Sequence, residues 1–412
     1  MKRSVVTKKD LDQFSEWKWV KLKEISDSIQ YGYTESSSQK QIGPKFLRIT
    51  DIQENKVDWD AVPYCKIDNE TKKRYLLKDG DLVFARTGAT VGKSFLIKGK
   101  IPEAVFASYL IRVRVNAEIN EKYLSNFFHS TIYWSQITDG QIGIGQPNVN
   151  GTKLGQLNLP LPTLKTQQLI VSKIEELFSE LDKGIENLKT AQQQLKTYRQ
   201  SVLKWAFVND RFENYILKDV TEKIQIGPFG TQLHKEDYIE NGIPLINPTH
   251  IKDGLIVADY SFSILKEKRD SLPNYILKTG DVIMGRRGEM GRCGLVSKKE
   301  DGWFCGTGSL YFRPDSKKVD SVFLYYNLRS EPVKKYLDEN AGGTTMANLN
   351  LKIVNNIPIS LPSIKEQRNI VLEIERRLSV ADKMEDSINQ SLQQSVALRQ
   401  SILKKAFEGK LV

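Results

Sequence analysis

Leu161 to Phe207 reads LPTLKTQQLIVSKIEELFSELDKGIENLKTAQQQLKTYRQSVLKWAF, and Leu361 to Phe407, 200 residues on, reads LPSIKEQRNIVLEIERRLSVADKMEDSINQSLQQSVALRQSILKKAF. Aligned without a gap, 20 of 47 positions are identical, and many others exchange one apolar residue for another. A repeat at a fixed offset decides the architecture before any local reading. A duplicated chain folds toward internal pseudo-two-fold symmetry, which suits a target or partner set that comes in two halves.

Each copy opens on a proline followed by a helix start signal. Ser363 and Glu366 form an S-x-x-E capping box, while Thr163 and Thr166 are a weaker version. Pro162 and Pro362 hold the preceding residue extended. Apolar residues then recur at steps of four and three: Ile170, Ile174, Leu177, Leu181, Leu188, Leu195, Tyr198, Val202 and Trp205. This is a coiled-coil seam, with Ala191 at one position and Gly184 interrupting another. The second copy carries Ile370, Ile374, Leu378, Ala381, Ile388, Leu392, Val396, Leu398, Ile402 and Leu403, less regularly spaced. About 40 helical residues make a rod of roughly 60 Å. Such a stripe must be buried. The expected partner is the other copy, packed antiparallel; the alternative is that each helix docks on its own core.

The stretches before the helices are related more faintly. KDGDLVFARTGATVGKSFLI (Lys78–Ile97) faces KTGDVIMGRRGEMGRCGLVS (Lys278–Ser297), with Arg86 and Arg286 at the same offset. In both, Gly-Asp is a turn that launches a strand, and a glycine-rich tip follows. FLRITDI (Phe46–Ile52) matches LINPTHI (Leu245–Ile251), and Asn148 and Asn150 match Asn348 and Asn350. Short helices are expected at 121–131 and 319–328. The fold class is therefore α/β, mixed α+β. A strand-rich domain at 1–160 leads into a long helix at 161–207. A second domain at 208–360 leads into a helix at 361–412.

The chain has 412 residues, 40% apolar and 27% charged, with a net charge of +11. Its pI is near 9.2. Those values fit a globular protein of two or more domains with an anionic partner such as nucleic acid. Cys65, Cys293 and Cys305 make no disulfide or zinc pattern and fit a reducing cytoplasm. No apolar run approaches the ~20 residues of a membrane span, and the first residues lack the apolar core of a signal peptide.

Catalytic motifs are not legible. GATVGKS (Gly88–Ser94) has one residue too few between its glycines for a phosphate-binding P-loop, and its counterpart has no Lys-Ser. Asn247-Pro248-Thr249-His250 lacks the second proline and the aromatic of a methyltransferase motif. His129, His234 and His250 are too scattered for a metal set or a triad. The tips still bring glycine, which lets a backbone approach a ligand closely, together with Arg86, Lys93, Arg286, Arg287 and Arg292. The plain alternative is a solvated hairpin end.

The two helix-opening strings, LPLPTLKTQQLIVSKIEELF and ISLPSIKEQRNIVLEIERRL, the paired GD-x4-R-x-G hairpins and the end AFEGKLV (Ala406–Val412) resemble the specificity subunit of Type I restriction-modification enzymes. The resemblance covers nearly the whole chain. It departs at Thr166-Gln167, where the second copy has Glu366-Gln367, and at Thr163 and Ser363, where a second proline is usual. It implies a non-catalytic subunit with two target recognition domains, each reading half of a split double-stranded DNA target. The paired helices would set the unread spacer and dock two methyltransferase (modification) subunits. S-adenosylmethionine, and the ATP and Mg of restriction subunits, would belong to those partners and not to this chain.

Phosphate contacts would fix register and loop side chains would read base edges. Candidates are Tyr33, Arg48, Arg86, Thr87, Lys93, Gln146 and Asn148 in the first domain, and Gln232, His234, His250, Arg286, Arg287, Arg292, Thr344 and Asn348 in the second. On the helices, Lys173, Arg199, Lys204, Arg376, Arg399 and Lys404 are candidates for outer faces that meet partners or DNA backbone. Two rivals remain: a coiled-coil scaffold with no DNA role, against which the basic balance argues, and a nuclease or methyltransferase acting alone, against which the missing motifs argue.

Overall fold

The structure is a computed structural model and describes residues 17–53, 55–139, 148–208, 212–229, 232–288, 291–341 and 349–412. The chain divides into two compact units, Met1–Leu188 with Gln390–Val412, and Lys189–Asn389. Each unit thus holds one globular domain, the start of the helix that follows it and the end of the other helix.

In the first unit an antiparallel sheet runs in the order Ser26–Tyr31, Leu110–Val115, Leu82–Ala85, Ser94–Leu96. Alternate residues of a strand point to opposite faces. Leu82, Phe84, Ile111 and Val113 accordingly face Tyr123, Leu124, Phe127 and Tyr133 from the helices Glu121–Phe127 and Thr131–Asp139. Val83 and Leu110 face the other way, onto Leu47, Val62, Leu77 and Phe106. The helix expected at 121–131 ends at Phe127, where Ser130 N donates to Phe127 O, and a second helix begins at Thr131.

The second unit repeats the plan. Its sheet runs Thr221–Ile226, Ser309–Pro314, Val282–Gly285, Cys293–Leu295. Val282, Met284, Leu310 and Phe312 pack on Phe323, Leu324, Val333 and Leu337 from the helices Ser321–Leu328 and Glu331–Asn340. Ile283 and Tyr311 face Leu245, Ile264 and Phe304. Each domain closes on itself at its ends: Lys18–Lys21 pairs antiparallel with Asn158–Leu161, and Glu213–Ile216 with Pro358–Leu361.

The long helices are Leu164–Phe207 and Ile364–Phe407, 44 residues each. Glu366 N donates to Ser363 Oγ at 3.4 Å, and the Ser363 hydroxyl donates to the Glu366 carboxylate at 3.0 Å. The reciprocal bond of the expected capping box therefore comes from the hydroxyl rather than from a backbone N–H. Just inside each start a glutamine is buried. Gln167 Oε1 accepts Asn120 N at 2.8 Å while Nε2 donates to Pro162 O at 3.0 Å. Gln367 Oε1 accepts Asp320 N at 2.8 Å, and Nε2 donates to Lys318 O and Pro362 O at 3.0 and 2.9 Å.

Within each unit the two helix segments run antiparallel, since rising numbers on one meet falling numbers on the other. In the second unit Gln192 meets Asn389 at 3.2 Å and Arg199 meets Asp382 and Glu385 at 2.5 and 2.6 Å. In the first, Asp182 meets Arg399, continuing the same antiparallel register, while Gln400 donates to His129 O of the globular domain. Ile170, Ile174, Ile402 and Phe407 are buried in the first unit's core. Val202, Ala206, Val371 and Ile374 are buried in the second's, with Leu378 partly buried beside them. Leu177, Leu181, Leu188, Leu195, Ile388 and Leu392 are half-buried.

Four seam assignments shift. Tyr198 is 40% exposed and Trp205 49%, whereas Arg199 is turned inward between the helices. Val396 and Leu398 are likewise exposed, and Arg399 takes the place beside them, its guanidinium 4.3 Å from the Phe178 ring. Arg199 and Arg399 are therefore not outer-face residues. An arginine paired across the seam occupies a position that an apolar count assigns to its neighbour.

Candidate nucleic-acid interface

A four-residue turn organises the candidate residues of each unit. In the first it is Ala107–Leu110, closed by Leu110 N donating to Ala107 O at 2.8 Å. Three segments converge on it through backbone bonds: Gly32 N to Leu110 O at 3.0 Å, Ala107 N to Leu47 O at 2.9 Å, and Arg86 N to Tyr109 O at 3.0 Å. Tyr33, Arg48 and Arg86 are thereby brought to one place from positions far apart in sequence. A Cβ on Gly32 would lie 2.1 Å from Ala107 O, so only glycine lets the strand end come this close. The second unit builds the same turn from Gly306–Ser309. Gly227 N donates to Ser309 O at 2.9 Å, Gly306 N to Ile246 O at 2.9 Å and Arg286 N to Gly308 O at 2.9 Å.

Behind each turn lies a buried ion pair launched by the Gly-Asp motif. Gly80 and Gly280 sit at φ +87° and +90°, the left-handed region that suits glycine. Asp81 and Asp281, each 1% exposed, then accept two bonds from an arginine of the central strand. The distances are 2.6 and 2.9 Å from Arg114, and 2.8 and 2.7 Å from Arg313. This bidentate fork holds the hairpin root to the sheet.

The hairpin tips carry the charge. Arg86 leaves the strand Leu82–Ala85, and its guanidinium lies 4.9 Å from the Tyr31 ring centroid. Val149 N donates to Arg86 O at 2.9 Å, and Thr87 bridges Asn148, so both sit against the segment that follows residue 147. Lys93 and Asn148 are exposed. Arg48 is less available, because Asp51 takes its Nε and a terminal nitrogen at 3.1 and 2.7 Å. That bond holds the Arg48 guanidinium above its ordinary pKa. Tyr33 is half-buried, its ring 5.3 Å from that of Tyr75. In the second unit Arg286 Nε donates to Leu349 O at 3.2 Å and Arg287 is exposed beside it. Desolvation first, then Arg287, lowers the Arg286 pKa. Arg292 donates to Pro248 O at 3.4 Å.

Other candidates fall elsewhere. His250 is 7% exposed with Nδ1 bonded to Leu245 O at 2.9 Å, which makes it a core histidine with no edge to offer a base. Gln232 accepts the Tyr275 hydroxyl at 2.6 Å, and His234 is an exposed residue heading the turn Lys235–Asp237. Gln146, Thr344 and Asn348 lie outside the described residues. Two exposed aromatics escaped sequence reasoning, Tyr109 at 61% on the first turn and Phe229 at 69% on the segment entering the second. Asn247, weighed in the sequence only against a methyltransferase motif, also reaches the turn, its Oδ1 accepting Gly308 N at 3.3 Å. The only signal for them is adjacency to the turns, which no local pattern reports.

Among the described residues no three His, Cys, Asp or Glu side chains gather where they could hold a metal, and no helix is long and apolar enough to cross a membrane. The cysteines are buried, and burial pushes the Cys65 thiol up to about 11 and the Cys293 thiol to about 12. None is a ready nucleophile.

The Type I restriction modification DNA specificity domain matches residues 14–191 and again 209–395. The EcoBI specificity subunit of Escherichia coli is 29% identical over 316 residues, covering 71% of this chain and 66% of that subunit. The StySPI specificity subunit of Salmonella potsdam is 26% identical over 387 residues, covering 89% and 82%. A solved chain from work on the assembly of the type I R-M system shares the fold, with a TM-score of 0.74 at 20% identity over 96% of this chain and 98% of its own.

Proposed function

The chain belongs to the Type I restriction-modification DNA specificity family, matched over both repeats, and from that premise we propose that each globular domain reads one half of a split DNA target. One observation carries this reading. Both units present an arginine-bearing hairpin fastened to the same four-residue turn, yet the side chains around the two arginines differ. A shared frame with unlike contents is what two readers of unlike half-sites require.

Lys93 and Arg287, exposed beside the turns, would hold phosphates. Arg86, Thr87 and Asn148 in the first domain, and Arg286 and Arg292 in the second, would carry register or base contacts. The antiparallel helix segments would set the spacer and dock two modification subunits. Those would supply S-adenosylmethionine, and restriction subunits would supply ATP-driven steps. The role of this chain would be recognition without catalysis, in the cytoplasm, where buried free thiols stay reduced. A scaffold without a DNA role leaves the basic hairpins and the domain match unexplained.

Single-molecule sequencing of methylated bases in host DNA, with and without this gene and with the partner methyltransferase confirmed active, tests the proposal. The expected result is a split motif that disappears with the gene. An unchanged methylation pattern would move the weight to the scaffold reading.

A further inference from the structure

We propose that Tyr31 is a positioning residue for the first half-site: it holds the Arg86 guanidinium in a fixed pose before DNA arrives. The inference rests on the reading of Arg86 as a DNA contact and goes beyond it by naming what makes that contact selective.

Tyr31 ends the edge strand Ser26–Tyr31, and Arg86 follows the end of Leu82–Ala85. The strand Leu110–Val115 lies between them, with Ile111 opposite both Tyr31 and Phe84. The two residues therefore stand at one end of the sheet, two strands apart, and the ring spans the gap to the guanidinium at 4.9 Å. The Tyr31 hydroxyl is fixed in turn. It accepts Gly151 N at 2.8 Å, the first residue of the helix Gly151–Gly155. A Cβ at position 151 would touch the ring at 3.5 Å. The Arg86 backbone is held on both sides, by Tyr109 O and Val149 N, and among the described residues its buried Nε has no hydrogen-bond partner. What orients the side chain is therefore the aromatic face.

An arginine loses several rotatable bonds' freedom on docking, and stacking it beforehand removes part of that loss from the binding step. The second unit differs at this place. Ile226 occupies the place of Tyr31, paired with Leu310 as Tyr31 is with Ile111, and Arg286 is held through Nε on Leu349 O. Tyr31 belongs to the first domain, so its loss should be felt in that domain's half-site.

The test uses the full chain with its modification subunit. The probe is a duplex carrying the split motif that the wild-type complex methylates, together with duplexes altered at single bases in either half. Tyr31→Ile is expected to weaken binding about fivefold and to relax discrimination in the first half only. Tyr31→Phe, which keeps the aromatic face, should stay within about twofold of wild type. Tyr31→Ile added to Arg86→Ala should cost nothing more. Tyr31 is 40% exposed, so neither change opens the core; melting temperatures check this, and Tyr31→Leu repeats the test if isoleucine disturbs the strand. Wild-type discrimination in Tyr31→Ile, a phenylalanine variant as weak as isoleucine, or additive effects in the double variant would each overturn the positioning role. An Arg86→Ala variant with unchanged affinity would instead remove Arg86 from the interface, and the proposal with it.

Discussion

Asp281 is 1% exposed and accepts Lys278 N at 2.8 Å besides the two bonds from Arg313. The sequence marks Gly-Asp as a turn that starts a strand, and it does so. What the motif cannot announce is the partner, an arginine 32 residues later that meets it only because Ser309–Pro314 pairs beside Val282–Gly285. Removing the carboxylate leaves a charged, half-enclosed guanidinium with only Ile276 O and the Tyr311 ring beside it and no charge opposite, which costs more than the pair itself contributes. Asp281→Ala is therefore expected to destabilise the second unit by about 3 kcal/mol, read by calorimetry or urea unfolding. A loss below about 1 kcal/mol would mean that solvent reaches Arg313 well enough to replace the carboxylate. The surroundings of the candidate residues were unevenly legible for a related reason. Arg86 and Arg286 take equivalent places on the two turns, as their matched offset suggests, whereas Arg48 sits in a pair with Asp51 three residues on, and His250 is drawn into the core by a backbone carbonyl.

At the scale of elements, the long helices were legible because their signals are local. A proline, a cap and a sustained apolar stripe place the starts at Leu164 and Ile364, within three residues of expectation. The facing residues were less so, because the seam is not wholly apolar. Arg199 on Asp382 and Arg399 on Asp182 are equivalent pairs under the repeat, one in each unit. They displace Tyr198 and Leu398 outward. Polar groups inside a coiled-coil seam select register more than they stabilise. The acids here are well exposed, Asp382 at 63% and Glu385 at 41%, so the pairs are screened and each is worth under about 1 kcal/mol. Arg199→Leu should thus leave the melting temperature nearly unchanged. Arg199→Glu, which faces Asp382 and Glu385 with a third carboxylate, should lower it, and adding Asp382→Lys should restore most of the loss. A double variant no better than the single one would show that these side chains do not couple across the seam.

The scale of the whole chain is where duplication and divergence separate. The sheets, turns and helix starts recur at matched positions, which is why the two-domain plan could be read from one sequence. The compact units nevertheless cut through both helices, at Leu188 and Asn389, because packing partners and not chain order define them. The second domain is entered and left through one pair of strands, with Glu213 opposite Leu361. It can therefore be exchanged at adjacent points. Beside the apolar packing of Val371 and Ile374, one tie to the following helix is indifferent to side chains. Gln367 binds Asp320 N, Lys318 O and Pro362 O, all backbone groups, so a relative's domain offers the same partners unless proline falls at the position of Asp320. Replacing residues 208–360 by the matching segment of a family member is accordingly expected to give a folded chain. Its methylated motif should keep the half-site of the first domain and take the donor's second half. Mapping methylated bases by single-molecule sequencing decides it. A motif altered in both halves would mean that the domains do not read independently, and an unaltered motif would place recognition outside 208–360.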